Sequence, residues 1–139
     1  MSLVVHANVP SLEKIRGKNA LANAVAIEAG GLIFFSGLSG YMGQPGDAEL
    51  SFAEQARNSL RKNLTALAEV GYGADHVIKV TAHLKNPSDF REWNAIFKEF
   101  FAPPMPCRTS VCAPIDGLVE VEIIAATEPR REQTDARPD

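Results

Sequence analysis

The chain has 139 residues, 45% of them hydrophobic, and a formal net charge of -3 at pH 7. That is the length of one domain with enough apolar content for a core, which excludes a disordered chain. Its 14 Lys/Arg against 17 Asp/Glu form no basic stripe that nucleic acid would need, and no apolar run reaches the length of a membrane span. The opening residues, MSLVVHANVPSLEKIRG, lack the basic start and long apolar run of a signal peptide, so a soluble cytoplasmic protein is expected.

Residues 1–18 are mixed, and only Val4–Val5 hint at a strand. The run NAVAIEA, then Gly30–Gly31, then LIFFSGL, predicts a β-hairpin around the glycine pair. Gly43, Pro45 and Gly46 mark residues 41–50 as a surface loop. Ser51 to Glu54 has the S-x-x-E form of a capping box. Phe52, Ala56, Leu60, Leu64 and Leu67 follow at helical spacing, and Gly71 and Gly73 end the helix. A strand is predicted over His76 to Leu84, with Ile78, Val80, Ala82 and Leu84 on one face and Lys79, Thr81 and His83 on the other. Strand, helix and strand suggest a crossover between parallel strands. Asn86-Pro87-Ser88 opens a second helix that runs to about Phe100. Phe90, Trp93, Phe97 and Phe101 form its apolar stripe, and Asn94 falls inside that stripe, where an amide needs partners. Pro103, Pro104 and Pro106 stop the helix.

Two β-patterned runs follow, Cys107 to Ala113 and Leu118 to Ala126, joined by a short Pro/Asp/Gly turn. From Glu128 the chain is charged and aperiodic, so residues 128–139 are expected to be a flexible tail on a single domain of residues 1–127. The resulting order, β-β-α-β-α-β-β, is that of an α+β fold: a mixed sheet with two helices on one face. The run LIFFSGL is apolar on both faces, as is the end of the last strand. With no third long helix, a second copy of the chain is the expected cover for the open face.

Chemistry concentrates in the last two strands. Alternation puts Arg108, Ser110 and Cys112 on one face of the first, and Glu120 and Glu122 on one face of the second. The short connection makes the two strands natural antiparallel neighbours. A guanidinium grips a planar carboxylate with two parallel hydrogen bonds, and a nearby carboxylate can orient water or move a proton. The same placement also reads as a cross-strand salt bridge. Cys107 and Cys112 point to opposite faces and do not bridge each other. His6, His76 and His83 are scattered, and His83 on a mid-sheet strand reads as structural. No zinc spacing, phosphate loop or H-E-x-x-H motif is present, so neither metal nor cofactor is expected.

These landmarks, in this order, resemble the RidA/YjgF/YER057c family of small enamine/imine deaminases. The matching pieces are the NAV before the hairpin, LIFFSGL, FAEQARNSLRKNLTAL and Gly71. VIKVTAHL, DFREWNAIFKEFF, Pro106, Arg108 and VEVEIIA complete the match over about residues 19–127. The resemblance implies a chorismate-mutase-like fold and a homotrimeric barrel with sites at subunit clefts. It implies hydrolysis of a small carboxylate-bearing imine or enamine, without a cofactor, to a 2-keto acid and ammonia. In that reading Arg108 clamps the substrate carboxylate and Glu120 positions the attacking water, with Glu122 in reserve. Asn94, Ser36, Gly37 and Ser110 line the pocket. Two positions depart from the family. Ser110 stands where many relatives carry a cysteine, and Leu21, within NALANAV, stands where many carry a tyrosine. These departures bear on the substrate. The alternatives are an aminomuconate-type deaminase and a non-catalytic trimer that binds a carboxylate ligand. An RNA-cleaving activity would want a basic face.

Overall fold

The computed structural model describes residues 3–6, 10–11 and 26–133; Leu21 and the rest of NALANAV lie outside them. In chain order come β1 (Val4–His6), β2 (Ala26–Ala29), β3 (Leu32–Phe35), β4 (Leu38–Ser39) and α1 (Phe52–Glu69). They are followed by β5 (Val77–Leu84), α2 (Phe90–Phe100), β6 (Cys107–Cys112) and β7 (Val119–Ala126). The expected order is present, with β1 and the two-residue β4 in addition. The strands form a seven-stranded mixed sheet of order β1-β2-β3-β7-β5-β6, and β4 pairs with β7.

Local chemistry explains the elements. Gly30 and Gly31 have φ of 56° and 81°, so both central residues of the β2–β3 turn are left-handed. That backbone matches the twist of a two-residue hairpin and is readily adopted by glycine. Ser51 and Glu54 make the full reciprocal capping box at the start of α1, and Gly71 follows its end with φ of 102°. Phe52, Ala56, Leu60 and Leu67 of α1 are buried, with Trp93, Ile96 and Phe97 of α2. They meet Val80, Ala82 and Leu84 of β5 and Val119, Val121, Ile123 and Ala125 of β7 in one core. Each large aliphatic or aromatic side chain buried there contributes about 1.5–3 kcal/mol. In β5 a register irregularity between Val77 and Lys79 gives the buried place to Val77, and Ile78 is only partly covered.

Two expectations are corrected. First, β6 and β7 are not neighbours: β6 pairs in parallel with β5 at the sheet edge, and β7 pairs antiparallel on the other side of β5. The chain between them crosses over one strand. Second, Asn94 is exposed. The buried stripe of α2 runs through Trp93, Ile96 and Phe97, and Asn94 sits on its rim. Within the described part of the charged C-terminal segment, Arg130 is held by backbone carbonyls. Its guanidinium donates to the carbonyls of Pro104 (2.6 Å), Ala74 (2.6 Å), Val77 (2.6 Å) and Ala102 (3.3 Å). Its backbone N–H donates to the Asp75 carbonyl at 2.7 Å. A rigid fork that gathers carbonyls from separate loops acts as a clasp, whatever the polarity of the residues around it. Arg130→Ala is expected to cost about 2 kcal/mol, read as a fall in melting temperature on the order of 5–10 °C. Unchanged melting would show the clasp to be energetically idle.

Candidate functional site

The polar side chains of α1 hold in place the segment that forms one wall of a cleft. Gln55, Asn58, Ser59 and Lys62 recur at helical spacing and reach the segment after β3. Ser59 Oγ donates to the Leu38 carbonyl at 2.7 Å, and Asn58 Nδ2 to that of Gly40 at 3.2 Å. Lys62 Nζ donates to Ser39 (2.8 Å) and Tyr41 (2.6 Å). Four consecutive carbonyls, 38 to 41, are thus held by one helix face. Buried Gln55 ties the far side: its Nε2 donates to the Leu50 carbonyl (3.0 Å), and its Oε1 accepts from the Leu118 N–H (2.9 Å). A Cβ on Gly40 would collide with the Gln55 backbone, so the segment can lie against α1 only with glycine there.

Between this wall and the β6–β7 connection lies a cavity of about 450 Å³, lined by Gly37, Ser39, Tyr41, Pro114 to Gly117, Val119 and Glu120. A second hollow, about 290 Å³, shares Gly37, Ile115 and Glu120 with it and adds His83 and Glu122. Glu120 and Glu122 alternate with the buried Val119, Val121 and Ile123, so they face away from the helices. Gly37 lies so close to Glu120 that an added Cβ would sit 2.5 Å from Oε1.

Lys62 is 5% exposed, and its ammonium is committed to those two carbonyls. Burial lowers its pKa from 10.5 to about 8, with Asp47 and Glu120 opposing the shift. Between those two values the unfolded chain holds a proton that the folded protein has released, so stability rises with pH across the window from about 8 to 10.5. The rise is on the order of 3 kcal/mol. Urea unfolding at pH 7 and pH 10 is expected to show it in the wild type and not in Lys62→Met. An equal pH response in both proteins would refute the assignment.

Arg108 lies elsewhere. It is level with buried Val80 on β5 and turns toward the helices, whereas Glu120 is level with His83 and faces the open side. The Arg108 guanidinium donates to Asn94 Oδ1 at 2.5 Å and stacks 5.0 Å from the Phe97 ring centre. Asn94, Phe97, Lys98, Met105, Pro106 and Arg108 line a separate cavity of about 330 Å³. No carboxylate among the described residues ion-pairs with Arg108, so the cross-strand salt bridge to Glu120 or Glu122 is not formed. Three residues along β5 and two strand spacings separate the two side chains, roughly 10 Å in each direction, and they lie on opposite faces.

Of the other predicted residues, Gly37 is in the Glu120 cleft and Asn94 is beside Arg108. Ser36 stands in the link between β3 and β4. Ser110 Oγ accepts from Trp93 Nε1 at 2.8 Å, which commits it to the core edge. Cys107 and Cys112 are free and exposed. No three His, Cys, Asp or Glu side chains among the described residues are grouped to hold a metal, and no described helix is long and apolar enough to cross a membrane. Sequence reasoning missed Tyr41, Lys62 and Gln55. For Gln55 and Lys62 the signal was present: polar residues at core-facing positions of a helix, which persist only with partners.

Comparison with known proteins places this architecture. The crystal structure of an endoribonuclease L-PSP homologue from Entamoeba histolytica superposes with a TM-score of 0.74 at 31% identity, covering 90% of this chain and 99% of that one. Escherichia coli TdcF, solved with bound serine, gives a TM-score of 0.67 at 28% identity, over 74% of this chain and 86% of that one. The chloroplastic Reactive Intermediate Deaminase A of Arabidopsis thaliana is 30% identical over 105 residues, 72% of this chain and 56% of that protein. The α+β, chorismate-mutase-like fold is therefore that of its structural neighbours. The family model described as Endoribonuclease L-PSP matches residues 17–127, and the chain belongs to that family, the RidA/YjgF proteins.

Proposed function

We propose that this protein hydrolyses small 2-imino or enamine acids to 2-keto acids and ammonia, at sites completed between copies of the chain. Family membership, with a Reactive Intermediate Deaminase A among the relatives, supports a general imine/enamine deaminase role. One observation carries the finer reading. Arg108 has no acidic partner among the described residues, is held by Asn94 and Phe97, and opens with Lys98 onto a cavity. A guanidinium held in this way is suited to a carboxylate.

In the proposed reaction Arg108 of one copy fixes the substrate carboxylate, which sets the C=N carbon in place. Glu120 of another copy takes a proton from the attacking water. The exposed apolar side chains Ile27 and Phe34 on β2 and β3 and Val111 on β6 are what a second copy would cover, and a homotrimer is the expected assembly. The serine bound to TdcF favours a small carboxylate ligand. It equally suits a ligand-binding module without turnover.

The test is ammonia release from a panel of enzymatically generated imino acids and 2-aminomuconate, with light scattering on the same sample. Release above the uncatalysed rate from a trimer is expected. Ligand binding with no release would favour the binding module, and a monomer with full activity would end the shared-site model.

A further inference from the structure

The row of residues across the sheet at Glu120 holds a group that the proposed chemistry has not yet used. Ser39 on β4, Glu120 on β7 and His83 on β5 are direct register partners, so their side chains leave one face side by side. Directly opposed Cβ atoms in such a pair are about 4.5–5.5 Å apart. His83 and Glu120 also border the same 290 Å³ hollow, with Gly37, Ile115 and Glu122.

A histidine with a structural role has a partner for its ring. His76 shows the pattern: its Nδ1 meets the Ala126 carbonyl at 3.0 Å, and its ring packs 5.1 Å from that of Tyr72. His83 is half-buried and makes no hydrogen bond or ring contact among the described residues. Its imidazole is therefore uncommitted, in a cavity, beside the carboxylate assigned to water. Charged groups around it are Glu120 and Glu122 on β7, Lys79 on its own strand and Lys85 just after it; Val111, opposite on β6, carries no charge. Lys62 and Asp116 border the far side of Glu120.

We infer that His83 is a further catalytic residue of this cleft, the acid that supplies a proton to the substrate nitrogen while Glu120 takes one from water; the inference rests on the deaminase reading above. Water attacks the imine carbon, a C–O bond forms, and the C=N π pair moves to nitrogen. Glu120 takes a proton from the water and His83 gives one to the nitrogen. In the second half Glu120 returns its proton to the nitrogen of the carbinolamine. His83 takes the hydroxyl proton, the C=O forms, and the C–N bond breaks to release ammonia. Both side chains end as they began. Imidazole suits this exchange because a ring nitrogen can give up a proton and take one back.

The experiment compares wild type, His83→Phe and His83→Gln in ammonia release across pH 5 to 9, with product keto acid titration and melting curves on each. His83→Phe is expected to lower kcat by roughly 100-fold, with product affinity changed less than about 3-fold. The shape of the kcat–pH profile is expected to change in both variants, which a merely structural role would not produce. His83→Gln keeps a polar side chain without a titrating ring, and it carries the test if the Phe variant melts early. Wild-type kcat and an unchanged pH profile in His83→Gln would overturn the role of His83 and leave the deaminase standing. No ammonia from the wild type on the whole panel would overturn both.

Discussion

Glu120→Gln is expected to lower kcat for ammonia release by about 100-fold or more while leaving affinity for a product keto acid within a few-fold. The amide keeps the shape of the carboxylate and cannot accept a proton from water. Glu120 lies in the larger cleft beside Gly37, in register with Ser39 and His83. The same cleft offers a second route to the effect. A Cβ on Gly37 would stand 2.5 Å from Glu120 Oε1, so Gly37→Ala must swing the carboxylate away. The end of a flexible side chain moves cheaply, so turnover is expected to fall with little change in melting temperature. Wild-type turnover in Glu120→Gln would transfer the base role to another residue, Glu122 first.

Arg108→Lys is expected to reduce kcat/KM by about 30-fold, or about 2 kcal/mol. Lysine keeps the charge but loses the planar fork that holds a carboxylate bidentately and stacks on Phe97. Its stability effect is expected to be small, because Arg108 is exposed at an edge strand and its hydrogen bond is to exposed Asn94. Steady-state kinetics and melting curves on this variant separate a substrate clamp from a structural contact. Full deaminase activity would end the assignment of Arg108 to the carboxylate.

Part of the architecture was legible because local rules govern it. The capping box at Ser51–Glu54, the Gly30–Gly31 turn and the buried stripe of α1 each depend on residues close in sequence. The crossover from β3 through α1 to β5 was also readable: both strands run antiparallel to β7 and hence parallel to each other. The neighbourhood of β6 and β7 was misread because a short connection normally joins adjacent antiparallel strands. A signal was available. CRTSVC is largely exposed and suits an edge, whereas alternate residues of VEVEIIAA are apolar and belong at the sheet centre beneath the helices.

The sequence by itself determined the order of the longer elements, the face on which side chains stand within their strands outside the irregular start of β5, and the residue types able to bind a carboxylate or move a proton. Those follow from dihedral preference and periodicity, which act over a few residues. Tertiary structure decided which faces meet. Strand pairing is a non-local choice, driven by burial of the helix-facing sides of β5 and β7, and it put β5 between Arg108 and Glu120. It also brought His83 beside Glu120 and set Lys62 under the carbonyls of Ser39 and Tyr41. No spacing in the sequence encodes those two contacts; they exist because separate segments were packed to bury the same apolar core.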